Sequence, residues 1–312
     1  MNKEECSMSD PVIRVKDFRK TYGNLVAVEE ISFEVERGEI FGLLGPNGAG
    51  KTSTLECLEG LRIPDGGLLR IMDLDPNRQS GKLRNLIGVQ LQTSSLPESI
   101  RLDEAMKLFC AYHEVAPRYD LLDRFGLKER KKAQYHQLSA GQQRRLGLAL
   151  AIAHHPQVLF LDEPTAGLDV ASRIELHNLM RELQTSGTTI ILATHDMAEA
   201  DELASRLAIL LRGKIVATGT PLTLTAAGAG LTKISVRTKD SSLSDPQISF
   251  PAVSQRSVKE EYVIYYSKDI SPTLSTIIAY LKDKEDTLLD LRVERPSLED
   301  RFLEITNAGG VK

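Results

Sequence analysis

Apolar and polar positions follow one another along the chain in a pattern that predicts strands and helices in turn. Some segments alternate with a period of two, as half-buried strands do, and others are continuous apolar runs typical of strands buried on both faces. The predicted strands before residue 219 are 12–18, 31–35, 39–44, 158–161 and 189–193, with a closing hairpin of 208–212 and 214–217. The helical pattern covers 53–61, 171–184 and 197–205. This alternation predicts an α/β fold with a mostly parallel sheet, to which 12–18 and 31–35 add an antiparallel β-subdomain.

A stretch of helical character interrupts this alternation between residues 97 and 155. One face of its first helix carries apolar residues at helical spacing, which are Leu102, Met106, Phe109 and Cys110. The helical pattern resumes at residues 120–125 and stops before Gly126. We therefore expect a helical insertion in the α/β core, over about residues 92–155.

The composition changes after residue 219. Residues 219–230 are rich in Gly, Thr and Ala and carry no charge, which predicts a linker. The strand-like segments beyond it are 233–238, 261–266 and 288–293, and the helical ones are 272–281 and 298–305. We therefore expect an α/β domain over residues 12–222 and a small α+β domain over 231–306. Two domains also agree with a length of 312 residues, at about 100–200 residues per domain.

Composition and charge exclude several classes of protein. The chain is 41% hydrophobic and 26% charged, as ordinary globular proteins are. Its 39 Lys and Arg against 43 Asp and Glu give a net charge of −4, whereas a general nucleic-acid binder needs a basic face. There is no Trp, which removes the best base-stacking side chain. We expect no direct nucleic-acid partner.

The three cysteines and the apolar runs point to the cell interior. Cys6, Cys57 and Cys110 have no CxxC spacing, so neither a disulfide framework nor a zinc site is expected. No apolar stretch approaches the ~20 residues that a membrane helix needs, and residues 1–11 lack a secretory apolar core. The sequence predicts a soluble cytoplasmic protein whose membrane role, if it has one, requires a partner.

A glycine-rich phosphate loop is the strongest motif. It has the pattern G-x-x-x-x-G-K-T between a predicted strand and a predicted helix, which is the context that a P-loop requires. Its residues, together with Ser53, are the predicted ATP-binding group: Gly45, Pro46, Asn47, Gly48, Ala49, Gly50, Lys51 and Thr52. Glycines let the backbone N–H groups face phosphate oxygens, Lys51 reaches the β- and γ-phosphates, and the Thr52 hydroxyl is a Mg²⁺ ligand.

Two acidic residues end the apolar run at 158–161. This position predicts Asp162 at the carboxyl end of a central strand beside the P-loop, where a carboxylate can hold magnesium. Glu163 is the candidate to orient or deprotonate an attacking water molecule, and is therefore predicted to be catalytic. An apolar strand ending in Asp-Glu is by itself more often only a strand end, but the upstream P-loop favours the functional interpretation.

The segment Leu138-Ser-Ala-Gly-Gln-Gln-Arg-Arg145 resembles the signature motif of the ATP-binding cassette family, the nucleotide-binding domains of ABC transporters. Ala140 replaces the usual second glycine. The resemblance implies that Ser139, Gly141 and Gln142 complete the nucleotide site of a second copy, with the γ-phosphate contacts made by Ser139 and Gly141. Taken alone, Ser139 would instead be read as the N-cap of a helix. The order of the motifs favours the family interpretation.

Four further residues match smaller family motifs. The resemblance implies that Tyr22 stacks on adenine, that Asp169 lies in the D-loop facing the opposite subunit, and that the catalytic His195 contacts the γ-phosphate. It also implies that Gln92 joins Thr52 and Asp162 in the magnesium shell, with Gln90 as the second choice.

The last residues of the sequence resemble those of one class of proteins within this family. Residues 293–303, VERPSLEDRFL, are similar to the ending of ATPase subunits paired with ABC-2 type exporters, including drug exporters. The family then implies a P-loop ATPase that uses ATP and Mg²⁺, forms a homodimer or pairs with another cassette, and binds separate transmembrane permease subunits at the cytoplasmic face of a membrane.

Two alternative functions agree less well with the sequence. A non-transport cassette ATPase that remodels ribosomes or nucleic-acid complexes usually carries two cassettes or a long coiled-coil or zinc insertion, and none is evident in this sequence. A P-loop kinase or GTPase would leave the segment 138–142 unexplained.

Overall fold

The structure is a computed structural model that describes residues 10–91, 96–226, 231–245, 248–294 and 297–308. The chain divides into two compact units with the boundary between Pro221 and Leu222. The first unit contains two sheets and the second unit contains one, and the two units have separate hydrophobic cores. No helix among the described residues has the length and apolar character needed to cross a bilayer.

The first unit alternates strands and helices, as the sequence pattern predicts. Its strands are β1 (Ile13–Tyr22), β2 (Leu25–Val35), β3 (Ile40–Leu44), β4 (Gly66–Ile71), β5 (Ile87–Gln90), β6 (Val158–Asp162), β7 (Thr189–Thr194), β8 (Arg206–Leu211) and β9 (Lys214–Gly219). Its helices are α1 (Lys51–Leu58), α2 (Ser80–Leu83), α3 (Leu102–Tyr112), α4 (Tyr119–Arg124), α5 (Ala140–Ala151), α6 (Val170–Thr185) and α7 (Met197–Leu203).

A six-stranded sheet in the order β5-β6-β7-β3-β8-β9 forms the centre of this unit. Every pair in it is parallel except β8 with β9, which form the closing hairpin. The continuous apolar sequences of β3, β6 and β7 follow from burial on both faces, since all their residues are buried. The predicted α/β class with a mostly parallel sheet is confirmed.

An antiparallel sheet in the order β2-β1-β4 accompanies it and confirms the predicted β-subdomain. Strand β4 was not predicted. It opens with Gly66 and Gly67, which weaken any strand signal, and Gly67 lies so close to β1 that an added Cβ would meet the Asp17 carbonyl oxygen at 2.3 Å. Strand β4 is therefore not visible in the sequence pattern, because its glycines are needed for the close approach of its backbone to that of β1.

The predicted helical insertion contains α3, α4 and α5, with 3₁₀ turns at Lys128–Arg130 and Tyr135–Gln137. The predicted face of α3 is confirmed in part: Leu102, Met106 and Cys110 are buried in one core cluster, and Phe109 packs against it half-buried. Helix α5 contributes Leu146 to the same cluster. The insertion therefore shares a continuous core with one side of the parallel sheet.

The second unit is an antiparallel sheet with one helix packed on it. Its elements are β10 (Thr232–Thr238), β11 (Val253–Lys259), β12 (Tyr262–Ser267), α9 (Ile270–Asp283), β13 (Leu288–Glu294) and α10 (Leu298–Ala308). The strand order is β11-β12-β10-β13. Its core joins Ile234, Val236 and Tyr265 of the sheet to Ile277 and Leu281 of α9. The predicted α+β character is confirmed.

The boundary between the two units lies within the predicted linker over residues 219–230, but part of this segment is helical. Helix α8 (Pro221–Ala226) occupies it and buries Leu224. Thr220 followed by Pro221 is a helix-start sequence, because proline is well suited to the first helical position. Residues 227–230 lie outside the described part of the chain.

Candidate nucleotide site

The loop from Gly45 to Gly50 connects the end of β3 to the start of α1. Close backbone packing requires glycine at two of its positions. Gly50 has φ 104°, and a Cβ there would lie 2.6 Å from the Ala27 carbonyl oxygen. A Cβ at Gly45 would lie 2.3 Å from the Leu210 carbonyl oxygen. Close backbone packing therefore fixes the loop, and no side-chain hydrogen bond caps the N-terminus of α1.

Lys51 is the first residue of α1 and is buried, with 5% of its surface exposed. Its ammonium group donates to the carbonyl oxygens of Gly45 at 2.7 Å and Pro46 at 3.3 Å. It also lies 3.5 Å from Glu163 Oε1. A buried ammonium held at the mouth of a glycine loop is a strong local source of positive charge for a phosphate.

Thr52 and Asp162 meet beside this lysine. The Thr52 hydroxyl donates to Asp162 Oδ2 at 2.9 Å. Asp162 Oδ1 is buried and has no hydrogen-bond partner among the described residues. Burial raises the pKa of the Asp162 carboxyl, although the bond from Thr52 lowers it. A carboxylate that is buried with one oxygen unsatisfied gains most from a cation, so the two residues fit a magnesium ion.

No group of three or more His, Cys, Asp and Glu side chains suited to a metal occurs in the described ranges. A metal at Asp162 would therefore share its coordination with Thr52 and with phosphate oxygens, which is the arrangement that Mg²⁺ usually adopts beside a nucleotide.

Glu163 connects the lysine to a histidine. Its Oε2 atom lies 2.7 Å from Nδ1 of His195, and the His195 side chain is half exposed. Glu163 follows β6 with φ 51°, in the left-handed region that costs a non-glycine residue about 1 kcal/mol or more. This turn brings the carboxylate towards Lys51 and His195. The structure thus brings together the predicted catalytic residues and the predicted phosphate-binding residues.

The cavity above the loop has a volume of about 560 Å³. Its lining includes Tyr22, Asn47, Gly48, Ser53 and Glu163, all predicted site residues. The Tyr22 hydroxyl donates to Ser53 Oγ at 3.3 Å, and the tyrosine ring is partly exposed. An exposed aromatic ring at the rim of a phosphate-binding cavity can stack on a nucleotide base.

Sequence reasoning missed the contribution of the hairpin between β8 and β9. Arg212 lines the same cavity and adopts a positive φ of 51° before Gly213. The Gly213 N–H donates to the carbonyl oxygen of Ala49 at 3.0 Å, so this turn supports the phosphate loop. In the sequence, Arg212-Gly213 indicates only a turn, because Ala49, which Gly213 contacts in the phosphate loop, is far away along the chain.

Ser139 caps helix α5. The Ser139 hydroxyl oxygen accepts from the Gln142 N–H at 3.3 Å, and Gln142 Oε1 accepts from the Ser139 N–H at 3.0 Å. This capping box satisfies the first turn of the helix from within. Gly141 lies against Leu168 of the next loop. None of these signature residues lines the cavity above the phosphate loop of the same chain.

Arg144 is a residue whose role sequence reasoning missed. Its guanidinium donates to the carbonyl oxygens of Glu163 at 2.5 Å and Ala166 at 2.7 Å. Helix α5 is thereby tied to the backbone of Glu163, the predicted catalytic glutamate. The arginine is visible in the signature sequence, but only the folded chain shows which carbonyl groups it reaches.

Asp169 caps the next helix, α6, where its carboxylate accepts from the N–H and hydroxyl of Ser172. The bond from the Ser172 N–H is the largest cause that lowers the pKa of Asp169. Gln92 lies outside the described residues. Its alternative, Gln90, is buried, and its Nε2 donates to the Arg144 carbonyl oxygen at 3.4 Å.

A second cavity, of about 810 Å³, opens between β5 and the helical insertion. Most of its lining is apolar, including Leu96, Leu108 and Phe109. Glu59, at the end of α1, is buried on its wall, and Glu59 Oε2 has no hydrogen-bond partner among the described residues. Burial, with a contribution from Asp162, raises the pKa of Glu59 to about 8. The cavity therefore combines an apolar surface with a neutral acid at neutral pH.

Known proteins share both the sequence and the fold of this chain. The family model of the ABC transporter matches residues 28–166. The chain is 32% identical over 307 residues to a daunorubicin resistance ATP-binding protein of Streptomyces coeruleorubidus, covering 96% of this chain and 97% of that protein. It is 34% identical over 306 residues to the Nod factor export ATP-binding protein I of Paraburkholderia xenovorans, covering 96% and 98%.

Solved structures resemble a smaller part of the chain. The ATP-binding subunit of an ABC transporter superposes with a TM-score of 0.65 at 28% identity, covering 69% of this chain and 92% of that one. A dimeric bacterial ABC transporter cassette superposes with a TM-score of 0.61 at 25% identity, covering 67% and 98%. These matches account for a cassette-sized part of the chain, whereas the two relatives above match nearly all of it.

Proposed function

The chain belongs to the ABC transporter family of ATP-binding proteins and is an ATPase, and from this we propose that it energises export through separate membrane-spanning permease subunits. The single observation that carries the assignment is the cluster of Lys51, Thr52, Asp162, Glu163 and His195 around one glycine loop. Two relatives that match almost the whole chain are named for daunorubicin resistance and Nod factor export.

We infer that the chemistry is positioning and charge stabilisation, as in other phosphoryl transfers. The loop N–H groups at the N-terminus of α1, which no side chain caps, hold the phosphates together with Lys51. Glu163 orients the attacking water and accepts its proton. His195 is held by Glu163 through Nδ1 and contacts the γ-phosphate.

Thr52 and Asp162 are the described residues that would hold Mg²⁺, and Gln92 is the third predicted ligand. The ion supplies charge neutralisation across the β- and γ-phosphates when it is bound. The unsatisfied Asp162 oxygen supports this assignment, because a buried carboxylate needs a cation or a donor.

We further propose that a second copy completes the site. Ser139, Gly141 and Gln142 are absent from the cavity lining of their own chain, which supports a contribution in trans. The Ser139 cap uses only a lone pair of the hydroxyl, so the hydroxyl hydrogen can still donate to a γ-phosphate oxygen. Asp169 would lie at the same subunit boundary. Two chains related by a two-fold axis would then enclose two ATP molecules.

The docking surface for the permease is proposed to be the cavity between β5 and the helical insertion. Its apolar lining suits a helix of a membrane subunit, and β5 ends two residues before Gln92 in the sequence. The subunit would thus work at the cytoplasmic face of the membrane, and ATP would act by binding the closed dimer more tightly than the open one.

Affinity purification from detergent-solubilised membranes tests the transport function. The chain should recover a polytopic membrane protein, and the complex should hydrolyse ATP faster than the isolated chain. The Lys51→Ala variant is the matched control, because it keeps the docking surface and should recover the same partner without hydrolysis. Recovery of ribosomal or nucleic-acid complexes in its place would contradict the proposal.

A further inference from the structure

Strand β13 is the outer strand of the sheet in the second unit. It pairs with β10 along one edge, and no described strand pairs with its other edge. The free edge presents a row of backbone N–H and C=O groups, which is the surface that pairs readily with another strand. Charged residues at 290, 292 and 294 are interspersed with apolar ones at 289, 291 and 293.

The apolar residues of β13 continue the core face of the sheet beyond its helix. Val236 faces Leu291 and Ile234 faces Val293 across the β10–β13 pair. Both β10 residues are buried in the core beneath α9, whereas Leu291 and Val293 are 36% and 43% exposed. Leu289 is 53% exposed. The core face therefore ends in an uncovered apolar strip at an open strand edge.

We propose that β13 pairs in antiparallel fashion with β13 of a second copy of this chain, about a two-fold axis that passes through Leu291. This pairing places Leu291 opposite the partner's Leu291 and Leu289 opposite the partner's Val293. It also places Asp290 opposite the partner's Arg292. Two four-stranded sheets then join into one eight-stranded sheet, and the contact goes beyond the proposed nucleotide-dependent dimer.

The sequence of β13 selects this register over its neighbours. With the axis at Asp290, the two copies of this aspartate would face each other. With the axis at Arg292, two arginines would meet, and Asp290 would face the partner's Glu294. Like charges directly opposite each other destabilise a strand pair, and opposite charges stabilise it. If one β13 strand were shifted by one residue relative to the other, apolar residues would lie opposite charged residues.

Self-complementarity is the reason for choosing a second copy as the occupant. In a two-fold interface, a residue i that contacts residue j of the partner implies that residue j contacts residue i of the partner. The run from Leu289 to Val293 suits such an interface, because its apolar residues and its opposite charges are arranged symmetrically about Leu291. The register shift in the β10–β13 ladder lies at Arg237 and Thr238, next to Leu288. The shift leaves Leu289 without a partner on β10, because Arg237 pairs with Asp290 and Thr238 with Leu288, whereas Asp290 to Glu294 pair regularly. The central contacts of the proposed pairing, Leu291 with its own copy and Asp290 with Arg292, lie in that regular part.

Cysteine cross-linking of the full chain without nucleotide tests the register. In Leu291→Cys, the two introduced thiols would lie across the axis, at the ~4.5–5.5 Å Cα separation of directly opposed residues. Mild oxidation should convert most of this variant to a disulfide-linked dimer. Leu288→Cys is the control, since its two copies would be ~20 Å apart along the strands. The unmodified chain controls for Cys6, Cys57 and Cys110, of which the last two are buried. A monomeric Leu291→Cys variant, or equal cross-linking of both variants, would overturn the proposal.

Charge exchange provides an independent test of the same register. Asp290→Arg in the Leu291→Cys background sets arginines against arginines and should reduce the cross-linking rate about tenfold. The double exchange Asp290→Arg and Arg292→Asp restores opposite charges and should recover the rate. Thermal melting establishes that each variant is folded. If the double exchange cross-links as slowly as the single one, the proposed register is wrong.

Discussion

The loops that precede helices α1 and α5 treat the backbone N–H groups at the start of the helix differently. The phosphate loop ends at Gly50, and no side chain caps α1, so the N–H groups of its first turn can bind a ligand. The signature segment starts α5 with a capping box, in which Ser139 and Gln142 satisfy each other's backbone groups. Helix α1 leaves its first N–H groups for an anion, whereas at the start of α5 side chains satisfy the N–H groups of Ser139 and Gln142.

The electrostatic surroundings of the two loops also differ, and only the phosphate loop lies beside buried charged groups. The phosphate loop lies among buried charged groups, with Lys51, Asp162 and Glu163 within one small volume. Burial raises the pKa of Asp162, whereas hydrogen bonds from the helix end lower the pKa of Asp169 near the signature segment. The first region is prepared for a charged ligand and a metal. The second is structurally complete, and we infer that it acts only when it meets the nucleotide of another chain.

Among the substitutions that test this comparison, removal of the Glu163 carboxylate should have the largest effect on ATP hydrolysis. Glu163→Gln keeps the size of the side chain but removes the general base, which contributes about 10²–10⁴-fold to such reactions. Hydrolysis should fall by about that factor while ATP affinity is retained. Phosphate release and equilibrium binding measure the two quantities separately. A variant that hydrolyses ATP at a rate close to that of the wild type would show that Glu163 is not the base.

Loss of the loop cation should have the next largest effect. Lys51→Ala removes the charge that contacts phosphate and leaves Glu163 buried without its cation, so we expect ATP affinity to fall about 10–100-fold. Isothermal titration measures the change. Arg212→Ala is the matched control, because Arg212 lines the same cavity outside the loop and should weaken binding less. Equal losses in both variants would mean that charge alone, without the position of Lys51, determines the affinity.

The two roles of Ser139 can be separated by paired substitutions. Ser139→Ala removes both the cap and the hydroxyl donor, whereas Ser139→Asp keeps a cap but offers no donor to phosphate. Both variants should lose hydrolysis by at least about tenfold. Only Ser139→Ala should be less stable, by about 1 kcal/mol in denaturant unfolding. Full activity of Ser139→Asp would show that this serine serves only as a helix cap.

The last prediction concerns Glu59 and the pH dependence of stability. Because burial raises the pKa of Glu59 to about 8, the folded chain binds a proton there that the unfolded chain loses near pH 4.5. This contribution to stability is complete below pH 4.5 and is lost as the pH rises towards 8. Glu59→Gln removes it, so the stability of the variant relative to wild type should increase with pH across that window, by about 1 kcal/mol per unit. Urea unfolding of both proteins at pH 5.5, 6.5 and 7.5 measures how their free energies of unfolding change with pH. The same pH dependence in both proteins would contradict a raised pKa at Glu59.

Much of the fold could be predicted because its strands and motifs carry local signals. The apolar runs of β3, β6 and β7 are visible as sequence, and the glycine loop signals both a turn and its ligand. Strand β11 was missed since it is an edge strand with the polar sequence VSQRSVK and no buried residue. Helix α8 resembles a linker in the sequence because its Thr and Ala content outweighs the helix-start signal of Pro221.

The candidate site was predictable only as far as its residues carry recognisable motifs. The sequence predicts that Thr52 and Asp162 share a magnesium ion, and the structure brings the two side chains together. It predicts separate roles for Glu163 at the water and His195 at the γ-phosphate, and the structure shows that these two side chains are in contact. It did not reveal that Arg144 binds the Glu163 carbonyl group or that Glu59 is buried beside a cavity. Those features depend on contacts between distant segments, which no local pattern encodes. The magnesium ligands, the contacts in trans and the two-domain limits stay predictions.

Mixing two inactive variants tests the sharing of sites between chains most directly. Lys51→Ala lacks a working phosphate loop, and Ser139→Asp lacks a working signature, so each homodimer should be inactive. A mixed dimer contains one site with an intact loop from one chain and an intact signature from the other. Equal mixing, which makes half of the dimers mixed, should therefore restore about a quarter of the wild-type ATPase rate. If the mixture stays as inactive as its two components, each chain completes its own site, and the proposed contribution of Ser139 in trans is wrong.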